Sequence, residues 1–207
     1  MRATDAYNEL RALGRPLVET REVAARLGIS LSNASHLLSS TESANLVRRV
    51  RRGLWAIDLD VDPVVVAPYL TAPWPAYVSF WSALARHDMI EQIPRPTFVA
   101  SLMRSKKITT TIGMFSIHHL APELFDGFEG SADRGYLATP EKALFDSVYV
   151  RVPRGARIYF PELSLPSDFD EARLHEWLGR INRPRLKTLV SRELERALAQ
   201  ASPRVVA

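Results

Sequence analysis

The amino-acid sequence predicts an α+β protein with two parts: an N-terminal unit of short helices with one β-hairpin, and a mixed α/β C-terminal domain. Residues 4–40 show helical apolar spacing interrupted by a glycine turn, and residues 46–57 alternate as two strands around a glycine. Threonine and isoleucine dominate residues 106–120, as in β-strands. The chain has 207 residues, 46% of them hydrophobic, which is enough to bury a substantial core.

Composition excludes several classes of protein. No apolar run reaches the roughly 18–20 residues of a membrane-spanning helix, and the N-terminal residues include acids where a secretory signal would have an apolar stretch. The absence of cysteine excludes disulfides, thiolate metal sites and a cysteine nucleophile. We therefore expect a cytoplasmic protein.

The net charge of +4 is concentrated at the N-terminus. Residues 1–57 hold nine arginines and five acidic residues, whereas the remaining basic and acidic residues are equal in number. This asymmetry predicts a module that binds a polyanion, joined to a neutral one.

The first 40 residues predict three helices. Residues 4–14 form the first, with Thr4 as a cap and Gly14 at its end. A second short helix begins at Thr20, a turn follows at Gly28, and Ser30 caps the third helix. This is the layout of a helix-turn-helix. The polar face of the third helix is suited to base edges and phosphates, and the candidate contacts on it are Ser30, Ser32, Asn33, Ser35 and His36.

The segment LVRRVRRGLWAI predicts the wing of a winged helix-turn-helix, with two strands around Arg52-Gly53. Regular alternation places Val47, Arg49 and Arg51 on one face of the first strand. Neither face is purely apolar, as expected of a hairpin that lies against a DNA backbone. The candidate DNA contacts here are Arg48, Arg49, Arg51 and Arg52, while Trp55 and Ile57 return to the core. The alternative is a winged helix used only for protein contacts.

We place the domain boundary between residues 62 and 63. Residues 58–77 contain four prolines and predict a semi-rigid link. Beyond it the sequence predicts helices beginning at Ser79, Thr139, Asp168 and Asn182, with strands at residues 97–101, 106–120 and 136–138. The last helix carries an apolar stripe, which either packs against its own domain or binds a partner. Its members are Leu186, Leu189, Val190, Leu194 and Leu198.

Catalytic motifs are largely missing. The sequence lacks the glycine-rich phosphate loops, the H-E-x-x-H zinc motif and the G-x-S-x-G nucleophile motif. Adjacent His118 and His119 point to opposite faces of a strand, so we expect one to be buried and one exposed. Asp58, Asp60 and Asp62 could hold Mg²⁺ with substrate phosphates, or simply form a solvated turn. The sequence therefore leaves any catalytic residues unknown, and we predict no metal ligand and no cofactor.

Two segments of the second domain resemble a known family. The helix motif in YVSFWSALARHDMIEQIP and the later YLATPEKALFD, following a winged helix that ends in G-L-aromatic, resemble the AbiEi antitoxins of type IV toxin–antitoxin systems. The resemblance implies an N-terminal domain, residues 1–62, that represses its own operon, with DNA contacts at residues 30–40 and 48–53. It also implies a C-terminal domain, residues 63–207, that counteracts a nucleotidyltransferase-like toxin without a lasting complex. The expected partners are promoter DNA with an inverted-repeat operator and this toxin.

Two other functions remain open at this point. The chain could inactivate the toxin enzymatically, by phosphorylation above all, with Asp58, Asp60, Asp62 and Lys106 or Lys107 as metal and phosphate ligands. It could also be a plain winged-helix regulator whose second domain senses a ligand or dimerises. We expect a non-enzymatic antitoxin, because the motifs that catalysis usually needs are missing.

Overall fold

The computed structural model describes residues 3–155, 159–160 and 162–203 of the chain. Over these residues it is a mixed α/β protein with eight α-helices. The N-terminal part alternates helices with short strands, which form a three-stranded antiparallel sheet of order β1-β3-β2. Its elements are α1 (Ala3–Arg11), β1 (Leu17–Glu19), α2 (Thr20–Leu27), α3 (Leu31–Ser43), β2 (Arg48–Arg51) and β3 (Leu54–Ala56).

Local chemistry fixes the turn between α2 and α3. Gly28 ends α2 in the left-handed conformation, with φ of 63°, where a side chain would be strained. Ser30 then caps α3, because its Oγ accepts a hydrogen bond from the amide of Asn33. The predicted helices and hairpin of this part are confirmed. Strand β1 was not predicted, since Leu17–Glu19 is too short to show an alternating pattern.

The predicted proline-rich link is wrong in its first half. Helix α4 (Pro63–Thr71) occupies it, and the side chains of Val64, Val66 and Leu70 are buried. Asp62 caps this helix by accepting a hydrogen bond from the Val64 amide. Pro63 fits because the first position of a helix needs no amide donor.

The C-terminal part is built on a mixed six-stranded sheet of order β6-β7-β5-β4-β9-β8. Strands β4 and β9 pair in parallel, as do β5 and β7, and the other neighbours are antiparallel. Strands β4 and β8 were not predicted. The six strands are β4 (Ala76–Val78), β5 (Thr97–Ser101), β6 (Lys106–Thr110), β7 (Gly113–His119), β8 (Phe128–Ser131) and β9 (Gly135–Ala138).

Four helices complete this part, namely α5 (Phe80–Arg86), α6 (Pro140–Arg151), α7 (Glu171–Gly179) and α8 (Pro184–Gln200). The predicted helix starts at Asp168 and Asn182 are each off by one or two residues, because the N-caps are Asp170 and Arg183. The apolar stripe of α8 packs into the core of its own part. A two-residue parallel pair, Ser164–Leu165 with Ser202–Pro203, lies near its end.

Three hydrophobic clusters make up the core of the part of the chain that the structure describes. One lies within residues 7–57 and another within residues 77–201. The middle cluster joins both sides of the predicted domain boundary, because Leu17, Val50 and Leu54 pack with α4 and with strands of the large sheet. Among the described residues, no helix has the length and apolar character needed to cross a membrane.

Candidate nucleic-acid interface

A broad groove of about 1190 Å³ lies between α3, the β2–β3 hairpin and the end of α4. Its wall includes Arg49, Arg51 and Arg52, together with Arg21, which pairs with Glu19. Three of the four arginines are therefore not offset by the single acidic residue of the lining. The groove is thus open and positively charged, and its remaining lining residues are Thr20, Leu31, Ser32, Ser35, His36, Gly53, Leu54, Trp55, Tyr69, Ala72 and Pro73.

Helix α3 presents one polar face to this groove. Ser32, Ser35 and His36 are exposed and line it, whereas Ala34 and Leu38 on the opposite face are fully buried. The helical repeat explains this division, since residues four apart share a face. These three predicted contacts are brought together as the sequence suggests.

Two predicted contacts of α3 lie outside the groove lining. Ser30 uses its side chain to cap the helix, so its hydroxyl is occupied by the amide of Asn33. Asn33 is exposed one position beyond the groove-lining Ser32. The polar pattern of the sequence did not separate these residues from the three that line the groove.

The strand β2 contains a bulge that changes the predicted faces. Arg49 pairs with Trp55 and Arg51 pairs with Leu54, so Val50 is the extra residue between them. The prediction that Arg49 and Arg51 share one face is therefore wrong, because Trp55 and Leu54 pack in different clusters. Both arginines nevertheless line the groove.

The four arginines of the hairpin have different environments. The Arg49 guanidinium lies 5.6 Å from the ring centroid of Trp55, whose Nε1 donates to Thr20 Oγ1 at 2.9 Å. Arg51 is only partly exposed and donates to the carbonyl of Tyr69 at 3.1 Å. Arg52 is exposed at the turn of the hairpin, and Arg48 is exposed outside the groove lining. Arg49 and Arg52 are consequently the two arginines of the hairpin that are both exposed and part of the groove lining.

The hairpin is also attached to the large sheet. Thr111, in the turn between β6 and β7, donates its amide to the Val50 carbonyl at 3.1 Å and its hydroxyl to the Arg49 carbonyl at 2.5 Å. Together with the bond from Arg51 to Tyr69, these contacts hold the hairpin in a fixed position beside the second part of the chain. No sequence pattern signals any of these contacts, because each joins residues that are far apart in the chain.

Two of the three acidic residues proposed as metal ligands, Asp58 and Asp62, have structural roles. Asp58 accepts a hydrogen bond from the Asp60 amide, and Asp62 caps α4 and pairs with Arg86. Within residues 3–155, 159–160 and 162–203, no group of three or more acidic, histidine or cysteine side chains could hold a metal ion. His118 is partly buried against the rings of Phe80 and Phe98, whereas His119 is exposed, close to what the strand pattern predicts.

The two motifs that carry the family resemblance meet in the core. Asp146 accepts hydrogen bonds from Tyr77 Oη at 2.9 Å and from Ser79 Oγ at 2.7 Å, and Lys142 Nζ lies 2.8 Å from its other oxygen. All four side chains are buried. Burial raises the pKa of Asp146, while Lys142 and the two hydroxyls act in the opposite direction. This cluster is sealed from solvent and therefore supports the fold rather than forming an open site.

No protein-family model and no curated protein matches the chain. The groove and the buried cluster are therefore the features from which a function can be inferred.

Proposed function

We propose that the chain is a DNA-binding antitoxin that represses its own promoter through a winged helix-turn-helix. The order α1-β1-α2-α3-β2-β3 and the three-stranded sheet are those expected of such a unit. In this arrangement the second helix of the motif enters the major groove of DNA and the hairpin lies along the backbone. We assign the first of these roles to helix α3 and the second to the β2–β3 hairpin.

The observation that carries the DNA proposal is the shared groove. Hydrogen-bonding side chains of α3 and exposed arginines of the hairpin line one open surface, although they are 13 or more residues apart in the chain. Ser35 and His36 can contact base edges, while Arg49 and Arg52 can neutralise phosphates. The excess positive charge of residues 1–57 suits the same partner.

A salt titration of binding to the DNA upstream of the coding sequence tests this proposal. Replacing Arg49 or Arg52 by alanine should weaken binding and lower the log–log salt slope by about 0.9 for each phosphate that is no longer neutralised. Arg48→Ala is the matched control, because Arg48 is an exposed arginine of the same strand outside the groove. Equal slopes for all three variants would mean that the groove arginines do not neutralise DNA phosphates.

His36 tests the assignment of base contacts. The variant His36→Ala should retain most of its affinity for random DNA, while its preference for the promoter falls by about 1–3 kcal/mol. Competition between promoter and random duplexes measures this ratio directly. A uniform decrease in affinity for both duplexes would assign His36 to the phosphate backbone instead.

The antitoxin part of the proposal is carried by the resemblance to AbiEi antitoxins. The segments that show it, residues 77–94 and 136–146, supply the buried Tyr77–Ser79–Lys142–Asp146 cluster of the second part. We propose that this part neutralises a nucleotidyltransferase-like toxin without covalent modification. Co-expression with the toxin, followed by growth and by the intact mass of the toxin, tests this. A protein-dependent gain of roughly 80 Da, the mass of a phosphate, would replace it with the phosphotransferase alternative.

A further inference from the structure

Leu31 is the one apolar residue that α3 contributes to the groove, beside Ser32, Ser35 and His36. It is the first residue of α3, its side chain is 59% exposed, and it lines the groove one helical turn before Ser35. The spacing of Leu31 with Ala34 and Leu38 predicts a core position, yet only the latter two are buried. The fold therefore leaves a branched aliphatic side chain open to the proposed DNA surface.

The position of Leu31 on the helix limits what it can contact. Residues at the N-terminal end of a recognition helix are those that approach base edges in the major groove. The neighbouring Ser32 and Ser35 can donate or accept hydrogen bonds, whereas Leu31 can do neither. The only apolar group that a base pair of unmodified DNA presents in the major groove is the C5-methyl group of thymine.

We propose that Leu31 reads a thymine methyl group and so helps to set the sequence that the groove prefers. This inference rests on the proposed DNA-binding function and adds a specificity residue to it. Contact between the two apolar groups removes both from water, while Arg49 and Arg52 hold the duplex without regard to sequence. The contribution of one methyl group corresponds to about a fourfold change in affinity.

DNA duplexes that bind the full chain are first selected from a library of random sequences, and the enriched sequence is used in the binding tests. Wild-type protein should enrich duplexes with a thymine at one fixed position, and Leu31→Ser should lose that preference while keeping the others. The matched control is Leu59→Ser, because Leu59 is 38% exposed but lies outside the groove. Circular dichroism of each variant verifies that the fold is retained.

Uracil in place of that thymine isolates the methyl group, since the two bases differ in nothing else. Wild type, Leu59→Ser and the conservative Leu31→Met should each bind the uracil duplex about fourfold more weakly than the thymine duplex. Leu31→Ser should bind both duplexes equally. An equal uracil penalty in wild type and Leu31→Ser, or no penalty in either, overturns this inference alone. Failure of the wild-type protein to enrich any sequence overturns the proposed DNA function and this inference with it.

Discussion

Replacing Lys142 by methionine should lower the free energy of unfolding by about 3–4 kcal/mol at pH 7. Methionine keeps most of the aliphatic chain of Lys142, but it removes the ammonium group, which faces Asp146 and lies 5.0 Å from the ring centroids of Phe145 and Trp177. Leaving one member of a buried ion pair without its partner typically costs about 3–5 kcal/mol. The substitution also removes the hydrogen bond from Lys142 Nζ to the Leu124 carbonyl, which is 2.6 Å long.

Without Lys142, Asp146 can take up a proton instead of remaining buried as an unpaired charge. The free energy of protonating Asp146 is therefore the most that the lost charge pairing can cost. A carboxyl group with an ordinary pKa of 3.8 costs about 4 kcal/mol to protonate at pH 7, at 1.36 kcal/mol per unit. The same step costs about 2–3 kcal/mol less at pH 5. The destabilisation caused by Lys142→Met should therefore shrink between pH 7 and pH 5, by at most that amount.

Urea unfolding of three variants at both pH values measures these quantities. The double variant Lys142→Met/Asp146→Asn should be more stable at pH 7 than Lys142→Met, since no unpaired charge remains buried. Lys187→Met is the control, because Lys187 is an exposed lysine of α8. Identical unfolding of the single and double variants, or a destabilisation that does not change with pH, would refute this explanation of the buried pair.

Three further predictions concern the hairpin, the domain boundary and alkaline pH. Arg51→Ala should lower the free energy of unfolding by about 1 kcal/mol, because the Arg51 guanidinium is bound to the Tyr69 carbonyl. For the same reason it should change the salt slope of DNA binding less than Arg49→Ala does. Equal slopes for these two variants in the salt titration would contradict this prediction. A fragment of residues 63–207 lacks the N-terminal members of the middle cluster. It should therefore bind more of an apolar dye and melt at a lower temperature than the whole chain. An unchanged melting curve would mean that these members contribute little to the stability of the fragment's fold. Burial raises the pKa of Tyr77 well above 10, so at alkaline pH the native state keeps a proton that the unfolded state releases. The free energy of unfolding should therefore fall as the pH rises above about 10. The urea midpoint of Tyr77→Phe should fall less between pH 9 and pH 11 than that of the wild-type protein. An identical fall would mean that Tyr77 is not the cause of the alkaline destabilisation.

Elements with local signals were predictable from the sequence. Gly28 and Ser30 mark the turn between α2 and α3 through a left-handed residue and a cap, and both act within a few residues of their own position. The arginine-rich hairpin was likewise visible around Gly53. Helix α4 was missed because Pro63 and Pro68 are typical of links, although Pro63 can begin a helix and Pro68 lies inside this one.

Features that depend on distant parts of the chain were not predictable. The bulge at Val50 is invisible to a pattern of period two, so the faces of Arg49 and Arg51 were assigned wrongly. The groove wall at Tyr69 comes from beyond the predicted domain boundary. Lys142 and Asp146 have the spacing of an ordinary surface pair on a helix, whereas in the structure both are buried and Asp146 is bound to Tyr77, 69 residues away.

The hydrogen bonds from Thr111 also bear on how the protein avoids pairing with other chains. In the order β1-β3-β2 the strand β2 is an outer strand, and unpaired carbonyls on such a strand can recruit a strand from another molecule. Thr111 occupies the carbonyls of Arg49 and Val50 from within the same chain. A strand of a second copy therefore cannot pair with these two carbonyls, which limits one route to aggregation. The arginine side chains of the hairpin remain available to a polyanion.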